Sequence, residues 1–166
     1  MSGQQSTTPA KAAASKAGVS PVPKGYHTVT PYLMVEGGAK FIEFLTRAFD
    51  AKSQSKMQAP DGRIGHAEIL LGDSHLMLSD AMGEQKALPT MLYLYLADAD
   101  ASYRRAIAAG ATGVKEPADQ FYGDRAGCVT FAGVTIWIAT HIEDVPTAEL
   151  ERRAQDAMKQ MGQQKH

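Results

Sequence analysis

Residues 64–79 read IGHAEILLGDSHLMLS, and residues 124–140 read DRAGCVTFAGVTIWIAT. Each stretch is two short runs of apolar and β-branched residues broken by a tight turn. Gly72-Asp73-Ser74 breaks the first and Ala132-Gly133 the second, so each reads as a β-hairpin. The two hairpins lie about 60 residues apart, a spacing that signals duplicated modules rather than a solenoid of short repeats.

The residues upstream of each hairpin repeat as well. His27–Val35 is β-rich, and Ala39–Phe49 places Phe41, Phe44, Leu45 and Ala48 on one helical face. Ser53–Ala59 is a polar strand that ends at the turn Pro60-Asp61-Gly62. In the second copy, Met91–Leu96 is a strand and Asp98 caps a helix over Ala99–Ala109, which Gly110 closes. Gly113–Gln120 is the strand before the second hairpin. The order is β-α-β-β-β twice, an α+β chain. Its two modules span residues 25–86 and 87–145, with curved mixed sheets forming a cup and the helices outside. Residues 1–24 are rich in Ala, Ser, Lys and Pro, and read as a disordered tail or a docking arm. Residues 146–166 read as a C-terminal helix and tail.

Composition narrows the classes. The chain has 166 residues and a net charge of -1, with no basic bias toward nucleic acid or an anionic membrane. No apolar run is long enough to span a bilayer. The lone cysteine, Cys128, cannot form an internal disulfide, which fits a cytoplasmic protein. It reads as a small buried hydrophobe.

Several stretches resemble the PhnB-like subfamily of the glyoxalase, bleomycin resistance and extradiol dioxygenase (vicinal oxygen chelate) superfamily. They are Pro31-Tyr32-Leu33-Met34-Val35, Pro60-Asp61-Gly62-Arg63-Ile64-Gly65-His66-Ala67-Glu68, Leu76-Met77-Leu78-Ser79-Asp80, Tyr122-Gly123-Asp124-Arg125 and the closing segment from Trp137 to Asp144. The resemblance covers about Tyr26 to Arg153. The chain departs from it at Thr130–Val134, which lacks the subfamily's Asp-Pro-Phe-Gly-His turn. The resemblance implies a homodimer and a small-molecule ligand.

It also implies where a metal would bind, on the first and last strands of each module. Those positions fall at Thr30, Met77, Met91 and Trp137, and none is a His, Asp or Glu. No metal and no cofactor are therefore expected in the cup. His66 and Glu68 share one strand face and are the candidate catalytic pair, or a displaced metal site with His75 across the hairpin. Their other reading is a histidine hydrogen-bonded to its neighbour. His27 and His141 read as peripheral, and His166 as part of a tag.

On the strand Met91–Leu96 the leucines suit the helix side, which turns Tyr93 and Tyr95 into the cup. With Tyr32, Met77, Met91 and Trp137 they form a lining for an apolar or aromatic ligand. Tyr122 and Arg125 lie on the loop entering the next strand. Arg125 either clamps a carboxylate or phosphate of the ligand or pairs with Asp124 or a neighbour and orders the loop. Three functions stay open. One is a metal-independent binding protein that sequesters or weakly transforms its ligand. Another is a metal-dependent lyase, isomerase or dioxygenase, and the third a dimerisation or interaction module.

Overall fold

A computed structural model of the chain describes residues 19–163, with side chains to Gln160. The tail expected over residues 1–24 falls largely outside the described residues, as does His166. Residues 19–24 form no helix or strand and are exposed.

The element order is β1 (Tyr32–Val35), α1 (Gly38–Phe49), β2 (Lys52–Gln58), β3 (Ile64–Leu71), β4 (Ser74–Asp80), β5 (Thr90–Tyr95), α2 (Ala99–Ala108), β6 (Thr112–Asp119), β7 (Asp124–Phe131), β8 (Val134–His141) and α3 (Thr147–Gln163). Two four-stranded mixed sheets result, ordered β1-β4-β3-β2 and β5-β8-β7-β6. In each, the first strand pairs parallel to the fourth and the other pairs are antiparallel. This is the expected duplicated β-α-β-β-β architecture, and neither sheet closes into a barrel.

One boundary differs. The first strand begins at Tyr32, not His27. Pro31 has no N–H for a ladder, and Thr30 Oγ1 donates back to the His27 carbonyl at 3.1 Å. Thr30, a position where the resemblance placed a metal ligand, is thus off the sheet.

The helices pack where their apolar faces dictate. Phe41, Phe44, Leu45, Ala48 and Phe49 of α1 are buried. Phe44 stacks on Phe131 at the end of β7, with ring centroids 4.2 Å apart and planes 7° apart, so the first module's helix reaches the second module's hairpin. Arg105 on α2 adds an ion pair to Asp50 at 2.8 Å.

Each helix start is tied to the end of its module's last strand. Gly37, at the cap position of α1, has no side chain to offer. Asp80 at the end of β4 takes its place, accepting from Gly38 N at 2.7 Å and from Ile64 N at 2.6 Å. A buried carboxylate there meets the unpaired N–H groups and the positive end of the helix dipole. In the second module Thr140 holds the matching place. Its hydroxyl accepts from Ala99 N at 2.8 Å and donates to the Leu96 carbonyl at 2.8 Å. Asp98 adds the side-chain cap expected of it, accepting from Ala101 N at 2.9 Å.

Candidate functional site

Strand register builds the exposed face of each sheet as a row of side chains. On the first sheet Tyr32 pairs with Met77, Met77 with Glu68, and Glu68 with Ser55. On the second, Tyr93 pairs with Trp137, Trp137 with Cys128, and Cys128 with Lys115. Side chains of register partners share a face, so each row lies across the inside of its sheet. Met91 and Tyr95 flank Tyr93 on that same face, and each is 65% exposed. Leu92, Leu94 and Leu96 turn the other way and pack on the core, as the alternation predicts.

The second sheet carries the denser polar cluster. Tyr93 and Tyr95 both donate to Asp124 Oδ2, at 3.2 and 2.9 Å. The Tyr122 hydroxyl lies 3.4 Å from that of Tyr93. His141 Nδ1 meets Asp124 Oδ1 at 2.8 Å, and its Nε2 meets Asp144 at 3.0 Å. Asp124 itself is 2% exposed. Burial first, then Tyr122 and Asp124, push the Tyr93 phenol well above its ordinary value. The bond to Asp124 raises Tyr95 as well, so both phenols stay protonated. Hydrogen bonds to Asp124 and then Asp144 raise His141. The aromatic rings run on from there: Tyr93 stacks on Trp137 with centroids 6.2 Å apart, and Lys115 Nζ sits 5.7 Å over the Trp137 ring.

Local backbone sets this cluster. Gly123 has φ +95°, and a Cβ there would lie 2.2 Å from the Glu143 carbonyl. Its own carbonyl accepts from Ile142 N and Glu143 N. Only glycine permits that approach, which brings the β7 entrance carrying Tyr122 and Asp124 against the segment after His141.

The first sheet carries a looser cluster. His66 Nδ1 is 3.5 Å from the Tyr32 hydroxyl, and His66 Nε2 is 3.5 Å from Glu68 Oε1. The Tyr26 phenol, with help from His66 and Ser55, holds the Glu68 carboxyl below its ordinary value. Tyr26 also stacks on His75, with ring centroids 4.0 Å apart. His75 Nδ1 is buried without a partner among the described residues.

The sequence therefore named Tyr32, His66, Glu68 and Met77 on one sheet and Met91, Tyr93, Tyr95, Tyr122 and Trp137 on or beside the other. Arg125 makes the neighbour pairing that the sequence left open beside the ligand clamp, and its partners are Asp100 and Asp119 rather than Asp124. Neighbours on a strand point to opposite faces, so Arg125 turns to the helix layer, where Nε and Nη2 donate to Asp100. Its Nη1 donates to Asp119 at 2.9 Å. Asp124 and His141 are the residues the sequence reading passed over. The same alternation was the available signal: Asp124 is even-spaced with Cys128, the register partner of Trp137.

Among the described residues no group of three His, Cys, Asp or Glu side chains could hold a metal ion. The nearest approach, His141 with two aspartates, fails geometrically. Asp124 and Asp144 sit on opposite nitrogens of the ring and share no centre. The donors on these faces do not fit a resident ion.

A cleft of about 590 Å³ opens between the modules. Tyr93 and Tyr95 line it on the β5 side, and Val29, Leu71, His75 and Leu76 on the first module's side. No described helix is long and apolar enough to cross a membrane.

Known proteins are similar to this chain in sequence or in fold. A Mycobacterium bovis protein and a Mycobacterium tuberculosis protein, both described as uncharacterised, are each 36% identical over 112 residues, or 61% of this chain. The match covers 74% of the first and 66% of the second. Among solved structures, TioX from Micromonospora sp. ML1 superposes with a TM-score of 0.59 at 20% identity, over 69% of this chain and 98% of its own. A glyoxalase/bleomycin resistance protein/dioxygenase from Nocardioides gives 0.54 at 19% identity, over 78% and 91%. At such identities these structures speak for the fold alone. The family match is by sequence: residues 26–138, covering both modules from Tyr26 to the last strand, match the Glyoxalase/Bleomycin resistance protein/Dioxygenase superfamily, and the chain belongs to it.

Proposed function

We propose that this protein binds an apolar or aromatic small molecule in a cup that works without a resident metal ion. The observation that carries the reading is the cleft of about 590 Å³ with Tyr93 and Tyr95 in its wall, and Trp137 stacked on Tyr93. That volume falls in the range of small-molecule sites, and aromatic walls suit apolar ligands fixed by a few polar groups. The residues at the family's metal positions support the metal-free part: Met77, Met91 and Trp137 offer no ligand for a hard or borderline ion.

The binding unit of this reading is a cytoplasmic homodimer. Tyr32 and Met91 leave apolar surface exposed in a single chain, which a second copy would cover. Size-exclusion chromatography with light scattering reads the stoichiometry.

A thermal-shift screen against hydrophobic acids, hydrophobic amines, antibiotics and aldehyde–thiol adducts tests ligand binding. Stabilisation by at least one class is expected, because a ligand that binds only the folded state raises apparent stability. A screen in which nothing stabilises the chain points instead to an interaction module. Elemental analysis tests the other half, and a stoichiometric transition metal contradicts it.

The second reading is enzymatic. His66 and Glu68, 3.5 Å apart beside the Tyr32 hydroxyl, would act as base and orienting carboxylate. Under it, any turnover of a stabilising compound is lost in His66→Ala while binding persists.

A further inference from the structure

We propose that the inner face of the first sheet holds a binding site for a phenol, and that the chain's own Tyr26 fills it until a phenolic ligand displaces the segment before β1. This rests on the reading of a cup that binds aromatic molecules, and names one ligand class and the contact that guards it.

Strand register puts His75 and Glu68 on one face. Met77 stands opposite Glu68 and Leu70 opposite His75, so the two side chains are diagonal neighbours. Tyr26 belongs to neither sheet, yet its ring lies on that face. It stacks on His75 with centroids 4.0 Å apart and planes 20° apart. Its hydroxyl faces Glu68, and no other neighbour lowers that carboxyl more. Burial, then the hydrogen bond to Glu68, raise the Tyr26 phenol, so it stays protonated and donates. A ring laid on an imidazole with its O–H turned to a carboxylate is how a protein would hold a free phenol.

Little else holds the occupant in place. Residues 19–30 form no strand or helix. Among the described residues, the backbone hydrogen bonds of this segment are all local. Tyr26 N donates to the Pro23 carbonyl at 3.0 Å, Ser20 Oγ to the Val22 carbonyl at 2.7 Å, and Thr30 Oγ1 to the His27 carbonyl at 3.1 Å. The first bond to the sheet comes only at Pro31, whose carbonyl accepts from Met77 N at 2.9 Å. Gly25 has φ +87°, and a Cβ there would sit 3.3 Å from His75 Nε2, so glycine lets the chain turn closely over the imidazole. The fit is incomplete, since Tyr26 covers the face of His75 and leaves its Nδ1 buried without a partner among the described residues. That unmet nitrogen favours exchange for a ligand that brings a further polar group. His27, Val29 and Pro31, next along the segment, line the cleft together with His75, so moving the segment would reshape the cleft too.

Calorimetric titration of the full chain with p-cresol, and with 4-methylanisole, which has the ring but no O–H, tests the proposal. A tethered ring competes as if at roughly millimolar concentration, so Tyr26→Gly should bind p-cresol about tenfold or more tightly than the parent does. In that variant p-cresol should bind about tenfold more tightly than the anisole, and adding Glu68→Ala should erase the preference. Proton NMR locates the site. The His75 imidazole signals, identified by their loss in His75→Ala, should shift in Tyr26→Gly and move back as p-cresol saturates it. Tyr26→Phe keeps the ring and loses the O–H. It serves if Tyr26→Gly does not fold, and should also bind p-cresol more tightly than the parent. Equal p-cresol affinity in parent and variants, no binding by the variants, or equal affinity for the anisole overturns the proposal. So does a His75 signal that p-cresol leaves unmoved. The cup reading itself is decided separately by the broad ligand screen, which can succeed with other compounds.

Discussion

Tyr95 gives its phenol proton to Asp124 across 2.9 Å, and in doing so ties the edge strand β5 to the start of β7, two strands away in the sheet. Tyr93 repeats the link at 3.2 Å and His141 adds one at 2.8 Å, so a single buried carboxylate organises three side chains from β5 and β8.

Removing that carboxylate should be costly. Asp124→Ala leaves two phenols and an imidazole without their acceptor, and should lower unfolding free energy by about 2–4 kcal/mol. Tyr95→Phe removes one hydrogen bond from an exposed ring and should cost about 1 kcal/mol. Urea denaturation of the three proteins checks the ordering. Equal stability of Asp124→Ala and the parent would mean the cluster does not hold β5.

Asp80 and Thr140 do the same task in their two modules, with different strength. Asp80→Ala orphans Gly38 N and Ile64 N, both buried, and should cost about 2–3 kcal/mol. Thr140→Val orphans one helix N–H and one carbonyl, and should cost about 1–2 kcal/mol. If the charge at the helix start matters, Asp80→Asn should fall between Asp80→Ala and the parent. Chemical denaturation reads all three.

The stack of Phe44 on Phe131 should be the strongest apolar link between the modules. Phe44 is 2% exposed, and Phe44→Ala should destabilise by about 3–5 kcal/mol through lost burial and the cavity left behind. Phe131→Ala removes the partner ring from a less buried site and should cost less. A thermal melt showing two separated transitions in either variant would reveal that the modules had uncoupled.

His141 makes stability depend on pH with a definite sign. Its folded-state pKa is raised above the ordinary 6.5 by Asp124 and Asp144. A raised pKa stabilises fully below the unfolded value, and the contribution fades as pH climbs through the folded value. The stability gap between the parent and His141→Asn should therefore be widest in mild acid and shrink above neutrality. A gap that widens with rising pH would contradict the assignment. Glu68 runs oppositely: its lowered pKa supplies stability that is lost as pH falls.

Much of this was written in the residues. The hairpins 64–79 and 124–140 were legible because their alternation and turn glycines agree, and β3 and β7 begin and end where the pattern says. The first strand was read too early because Thr28 and Val29 have β-branched side chains, while Pro31 and the Thr30 turn interrupt the ladder. Arg125 was left open between the ligand and a neighbouring carboxylate because Tyr122-Gly123-Asp124-Arg125 reads as one motif, and only the strand's alternation of faces sends it to Asp100. Asp124 and His141 were missed for the complementary reason. They are far apart in sequence, and only the antiparallel pairing of β7 with β8 sets Asp124 opposite His141.

The most direct test of the central claim uses the protein's single tryptophan. Trp137 stacks on Tyr93, one of the residues that line the cleft, so its fluorescence responds to a ligand that settles against that ring. The measurement is a fluorescence titration of chelator-treated, metal-free protein with each compound that stabilises it. A saturable change in Trp137 emission without added metal is predicted. An unchanged emission, or a change that appears only when a divalent ion is restored, would contradict the account.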